Sequence, residues 1–209
     1  MPRGSIELTN ARKDEIISAC ATLYETMSFK EITIKEISEL TTFKRAAIYN
    51  YFQTKEEIFL ALLQREYELW ADELNSITNT HEKMTADEIA QELAHSLEKR
   101  ERMLKLFSMN HFDMEANSRL ENLTEFKAAY WKPINAVEKC LEKFFTCMSK
   151  KDRQDFIYSF FPFIYGIYPY TIVTEKQRKA MEAANLDYVY LSIYEITYTC
   201  AKKLLEVQE

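Results

Sequence analysis

Between Leu40 and Lys55 the chain carries three basic residues, Lys44, Arg45 and Lys55, and no acidic one, with Tyr49 and Asn50 set among them. Cations that neutralise phosphates, a phenol that donates to a phosphate oxygen, and an amide or guanidinium that pairs with base edges are the chemistry of nucleic-acid contact. The plainer alternative is that the three cations are simply solvated. The whole chain of 209 residues has a formal net charge of -6, which by itself argues against a polyanion as partner. Distribution weighs the other way, because the acidic excess lies beyond Glu56 and leaves a small basic patch on an acidic body.

Other chemistries find less support. His111, Asp113 and Glu115 follow one another at two-residue steps, which fan around a helix and do not converge on a metal ion. His81 and His95 stand apart from them. The four cysteines, Cys20, Cys140, Cys147 and Cys200, have neither paired zinc-site spacing nor the density of a disulfide framework, and read as reduced core residues. Cys140 and Cys147 are two helical turns apart, about 10 Å along one straight helix and too far to bridge. No Ser-His-acid or Cys-His signature is present. With only two glycines, nucleotide-binding glycine fingerprints are excluded as well. We therefore expect no catalytic residue, no metal and no cofactor. The start has no apolar run of signal-peptide length and no stretch has the length of a membrane span, so the expected location is the cytoplasm, away from any membrane.

The elements that must carry the basic patch are helical. Two glycines and four prolines leave little for hairpins or βαβ turns, and 47% apolar content suffices for a core. A first helix is predicted from about Asn10 to Met27, with Ile17, Cys20, Tyr24 and Met27 on one face. Thr33 to Glu36 reads as a capping box opening a second helix that runs to Leu40, and Thr54 to Glu57 as another. Between them lie a polar break at Thr41-Thr42 and a third helix from about Lys44 to Tyr51. A fourth, of some 20 residues, places Leu63, Tyr67, Trp70, Leu74 and Ile77 along one stripe. Thr78 to Met84 lacks periodicity and marks its end. Thr85 to Asn110 is helical with a break near Lys99, and Leu120 to Met148 is a long helix kinked at Pro133. Aromatics point in every direction from Phe156 to Tyr170, the pattern of a helix buried on all sides. A last helix is predicted from Ala184 to Val207, with Val189, Ile193, Ile196, Cys200 and Leu204 on one side.

Two short helices joined by a tight turn, with a packing helix before and a long helix after, form the geometry of a DNA-reading helix-turn-helix, although such pairs also occur as ordinary packing. The residues go further. The run from Thr33 to Phe59, above all Ile48-Tyr49-Asn50-Tyr51-Phe52 followed by Thr54-Lys55-Glu56-Glu57, resembles the head of TetR-family transcriptional regulators over about residues 10 to 60. The resemblance implies an all-α fold in which residues 1–55 are a helix-turn-helix DNA-binding head. A long helix joins that head to an all-helical effector-binding and dimerisation body, residues 56–209. It also implies a ligand-responsive, sequence-specific regulator, a repressor acting as a homodimer on a palindromic double-stranded operator. The departures fall where the reading helix begins: Thr42 stands for a usual turn glycine, Lys44 for a capping serine and Ala46 for a second glycine. Thr42 either caps the helix or marks a reshaped turn, since a β-branched residue resists positive φ.

Chemistry and resemblance together assign roles. Tyr49 donates to a phosphate or packs its ring, and Phe52 is core. Lys55 and Thr33, each at a helix start, suit phosphates. Arg45, then Lys44 and Asn50, are candidates for base edges, with the Ala47 methyl against a thymine; backbone contact is the alternative for each. Thr42 completes the set. In the body, Met103, Phe107, Phe126, Tyr130, Trp131 and Tyr165 are either dry core or the lining of a pocket for a small, mostly apolar effector, with Pro133 and Pro162 breaking helices to open it. The segments Phe156–Ile167 and Ala184–Val207 are expected to pair with their mates as a four-helix dimer interface. The competing function is a helix-turn-helix adaptor or antirepressor whose partner is a protein.

Overall fold

A computed structural model describes residues 6–109 and 111–206, and among these there are twelve helices and no strand. In chain order they are α1 (Ile6–Thr26), α2 (Ile34–Glu39), α3 (Arg45–Ile48), α4 (Lys55–Thr80), α5 (Ala86–Glu98) and α6 (Glu101–Phe107). There follow α7 (His111–Ala116), α8 (Leu120–Phe144), α9 (Lys150–Gly166), α10 (Tyr168–Thr171), α11 (Glu175–Ala183) and α12 (Ile193–Glu206). The chain divides into two compact units, Met1–Glu66 with Asn110–Tyr130 and Tyr67–Met109 with Trp131–Glu209. Helices α4 and α8 each begin in the first unit and end in the second.

The first unit is organised by a small apolar core. Ile17, Cys20 and Tyr24 of α1, Ile37 of α2, Ile48 of α3, Phe52, and Ile58, Phe59 and Leu62 of α4 are all buried. Phe59 is met edge-on by Tyr24 at 5.2 Å and by Phe29 at 4.8 Å between ring centres. The Thr33 capping box forms as predicted, with the Thr33 N–H donating to Glu36 at 3.2 Å. Its Thr54 counterpart forms by half. Thr54 Oγ accepts from the Glu57 N–H at 3.2 Å, whereas the Glu57 carboxylate turns to the Gln53 N–H at 2.7 Å and to Arg119.

In the second unit α12 packs along α5 and against α9, and α6 packs on α9. Trp70 is fully buried, its indole N–H donating to Ser96 Oγ at 3.0 Å and its ring lying 5.7 Å from that of Phe161. The break expected near Lys99 lies between α5 and α6.

Several boundaries differ from expectation. Helix α3 ends at Ile48, and Asn50 to Phe52 continue as turns bonded back to Ala47 and Ile48. Neither Pro133 nor Pro162 breaks its helix: each lies inside an uninterrupted α8 or α9, since losing one N–H does not end a helix anchored elsewhere. The aromatic segment is not buried on all sides within one chain. Phe156, Phe160, Phe161 and Ile164 are buried, but Tyr158 is 74% exposed. The predicted last helix starts later than expected, since residues 184–192 lie outside any helix and α12 begins at Ile193. Asn185, at φ 51°, terminates α11, and a new start at Ser192 is capped through Glu195, with the Ser192 N–H donating at 2.8 Å. Val189 therefore lies between helices and is exposed, and α12 buries Ile193, Thr197, Ala201 and Leu205, leaving Ile196, Cys200 and Leu204 half-buried beside them. Val207 lies outside the described residues.

Candidate nucleic-acid interface

A helix of four residues does not hold itself together, because nucleation fixes several dihedral angles for a single hydrogen bond. Lys44 occupies its N-cap in an extended conformation without a side-chain cap bond. A good cap would add about 1 kcal/mol. Burying Ile48 and Phe52 stabilises by roughly 1.5–3 kcal/mol each, so the core anchors, more than the cap, hold α3 in place. That anchoring presents the other side: Lys44, Arg45, Ala46, Tyr49 and Asn50 are exposed and Ala47 is half-exposed.

Within this face Arg45 Nη2 donates to the Tyr49 hydroxyl at 3.1 Å, with its guanidinium 6.0 Å from the ring centre. The hydroxyl accepts from Arg45 and keeps its own proton for an acceptor outside the chain, while Arg45 retains further N–H donors.

Three of the predicted site residues have work inside the head. The Thr42 N–H and hydroxyl both donate to the Glu15 carboxylate of α1, the hydroxyl at 3.1 Å. Thr42 thus does not cap α3, and among the described residues the turn contains no positive φ, so the reshaped turn is the one adopted. The Thr33 hydroxyl is held by Glu36, whose carboxyl lies below its ordinary range chiefly because of that bond. Lys55 Nζ donates to the carbonyls of Phe29 at 2.8 Å and Ile32 at 3.2 Å, over the Phe29 ring at 4.1 Å. It fastens the α1–α2 connection to the start of α4 and has one N–H left over.

Two further grips were invisible to sequence reasoning. Arg12 of α1 donates to the Tyr51 hydroxyl at 3.2 Å and lies 5.7 Å from the Phe43 ring centre. With Glu15, one helical turn along α1, it holds both ends of the reading element. Beyond α3, the buried Glu57 carboxylate accepts from Arg119 Nε at 2.7 Å, Nη2 at 2.9 Å and N at 3.0 Å. An arginine 62 positions away has no sequence signal.

The family models now decide the affiliation. The model for bacterial regulatory proteins of the tetR family matches residues 16–62, and that for the tetracyclin repressor-like C-terminal domain matches residues 64–193. The chain belongs to the TetR family. Among solved structures, this TetR-family chain is similar to the fatty acid degradation regulator FadR from Bacillus halodurans, at 15% identity and TM-score 0.56 over 98% of this chain and 97% of that one. It is also similar to SmeT, the repressor of the Stenotrophomonas maltophilia multidrug efflux pump SmeDEF, at 16% identity and TM-score 0.57 over 95% and 91%. FadR from Bacillus subtilis, in complex with stearoyl-CoA, aligns at 16% identity and TM-score 0.54 over 91% and 96%. No curated protein sequence matches the chain significantly. The chain is thus a transcriptional regulator with an N-terminal helix-turn-helix and an all-helical body. No helix among the described residues is long and apolar enough to cross a membrane.

The predicted pocket residues of this TetR-family body separate into groups. In the second unit Met103 and Phe107 are buried, and Phe107 stacks on Tyr165 at 4.3 Å between ring centres. The Tyr165 hydroxyl meets that of Tyr67 at 2.5 Å, which brings Tyr67 of α4 into the group although sequence reasoning saw it only as part of a stripe. Phe126 and Tyr130 belong to the first unit, where Lys127 Nζ lies 5.5 and 6.0 Å from their ring centres. Trp131 is 51% exposed and joins neither group.

Proposed function

We propose that this regulator is a cytoplasmic repressor that binds a palindromic operator as a homodimer and is controlled by a small, mostly apolar effector. Residues 1–55 serve as the reading head and residues 56–209 as the effector-binding and dimerisation body. The observation that carries the reading is the exposed Lys44, Arg45, Tyr49 and Asn50 face, held outward by buried Ile48 and Phe52. Arg45 and Asn50 read base edges, with Lys44 and Ala47 beside them, and Tyr49 and the remaining Lys55 donor hold phosphates; Thr33 and Thr42, bonded to Glu36 and Glu15, shape the head around them.

Dimerisation is supported by apolar surface that one chain leaves open: Tyr158 on α9, and the half-buried line Ile196, Cys200 and Leu204 on α12. The effector reading is supported by the aromatic group Phe107, Tyr165 and Tyr67 with Met103, an apolar wall carrying a pair of hydroxyls. The stearoyl-CoA complex of Bacillus subtilis FadR is an instance of this fold binding a ligand that joins a long apolar acyl chain to an anionic coenzyme.

Selection of genomic DNA fragments by the purified protein tests the central statement. A single inverted-repeat motif, bound with steep salt dependence, is the expected outcome, and binding without sequence preference overturns the repressor reading. Sedimentation then checks the dimer: a monomer at micromolar concentration that stays monomeric on DNA rejects it.

A further inference from the structure

We propose that Arg119, which lies outside the helix-turn-helix in sequence, is a positioning residue of the DNA interface. It fixes the end of the reading helix through Tyr51 and Glu57 without touching DNA itself. The inference rests on the DNA-binding reading above and adds to it a residue beyond position 62, where the match to the family's N-terminal model ends.

Glu57 is 1% exposed, and a carboxylate so buried stays ionised only with a cation and a full set of donors. Arg119 supplies both. Its Nε at 2.7 Å and its own backbone N–H at 3.0 Å go to one carboxylate oxygen, and Nη2 at 2.9 Å goes to the other, which also accepts from the Gln53 N–H at 2.7 Å. The same Nη2 donates to the Tyr51 carbonyl at 3.0 Å, an acceptor at the end of the α3 turn that α3 itself leaves over. Between Tyr51 and Glu57 in the chain, the Thr54 hydroxyl donates to the Asn117 carbonyl at 3.0 Å. The turn 117–119 and the corner 51–57 are therefore tied by the Arg119 guanidinium and backbone N–H together with the Thr54 hydroxyl. Moving the turn away strands a buried carboxylate and a carbonyl together, so the two segments keep one relative pose.

Tyr51 directly follows Tyr49 and Asn50, whose exposed side chains belong to the reading face. A reader tolerates little misplacement, because each base contact needs donor and acceptor in line. Arg12 holds the Tyr51 hydroxyl, and Arg119 holds its carbonyl. Only a planar fork makes the Arg119 set of bonds, so lysine retains the charge and loses the geometry.

The test uses the full-length protein with two duplexes: the sequence that wild type selects from genomic fragments, and a scrambled duplex of the same composition. Arg119→Gln, Arg119→Lys and Glu57→Gln are compared with Lys151→Gln, an exposed control, after thermal melts establish the folded fraction. A purely structural loss lowers the active fraction and weakens both duplexes by one factor, leaving their ratio unchanged. A positioning role narrows the ratio. We expect Arg119→Gln to narrow it about tenfold, the effect of losing roughly one base contact, with Arg119→Lys between it and wild type. Should Arg119→Gln fail to fold, Arg119→Lys and Glu57→Gln still report. An unchanged ratio in every folded variant overturns the proposal, while a wild-type protein that prefers neither duplex overturns the DNA-binding reading instead.

Discussion

Two acidic side chains tie distant parts of this chain together, one in each unit, and they do so under opposite conditions. Glu57 is 1% exposed against Arg119, and burial raises its pKa. The Arg119 bonds and the Gln53 N–H outweigh that, so the carboxyl settles below its ordinary range. Asp87, at the start of α5, is 42% exposed on the side chain and meets α12: Lys202 Nζ at 2.8 Å and the Tyr198 hydroxyl at 2.6 Å. Lys202 first, and Tyr198 second, hold it down at about 2. The exposed group has a pKa pulled far down and yet carries little of the fold, because water replaces its partners readily and salt screens them. The buried group has the dearer partnership. Water cannot easily follow Glu57 inside, so losing Arg119 leaves a charge stranded.

The comparison breaks first at Arg119. Replacing it with alanine should cost about 2–4 kcal/mol in denaturant unfolding, somewhat below the roughly 3–5 kcal/mol of a fully buried pair because Arg119 is itself 38% exposed. An unchanged midpoint would put Glu57 on a level with Asp87. The next largest effect separates holding from reading. Arg45→Ala should lower operator affinity by about 1–3 kcal/mol, leave random-sequence binding much less affected and leave unfolding unchanged. Equal losses on both duplexes would make Arg45 a phosphate contact and move base reading to Lys44 or Asn50.

Acid sharpens the contrast further. Both carboxyls lie lower in the folded than in the unfolded chain, so their contributions are present above the unfolded values, 4.5 for Glu57 and 3.8 for Asp87, and fade as pH falls through the folded ones. For Asp87 that window runs from 3.8 down to about 2. The unfolding free energy followed from pH 6 to pH 2 should fall less below pH 4.5 in Glu57→Gln than in wild type, whereas any small deficit of Asp87→Asn should be present at pH 6 and vanish as pH falls from 3.8 towards about 2. The smallest effect is expected from Lys202→Met, with no measurable change in midpoint at physiological salt. A clear loss there would show that the α5–α12 seam depends on its surface charges and not on buried Ile193, Ala201 and Leu205.

What was legible in the residues follows the same division between local and distant causes. The Thr33 box could be read because both partners lie within four residues, and the core anchors Ile48 and Phe52 because apolar spacing reports burial. The Thr54 box was legible only in its hydroxyl, since Glu57 answers to Arg119. The grip of Lys55 on two carbonyls was not legible, because those partners are set by the fold of the preceding loop. The C-terminal helix was overextended although Ser192 and Glu195 stand at capping-box spacing, and Asn185 is a residue type that ends helices. Those local signals were present and were outweighed by a run of apolar residues. Trp131 is a pocket candidate by residue type and by the resemblance, and an aromatic residue on a long helix says nothing by itself about which way it faces; this one is 51% exposed.

The short α3 has one more consequence, which concerns how such a protein changes over generations. The exposed positions in and beside it, Lys44 to Ala46 and Asn50, make no side-chain cap and fill no core, while its hold on the rest of the first unit rests on Ile48, Phe52 and Tyr51. Substitutions on the outer face are therefore nearly free of folding cost. If that face reads the operator as proposed, single substitutions there alter which sequence is preferred while each product still folds, so drift in recognition is limited hardly at all by stability.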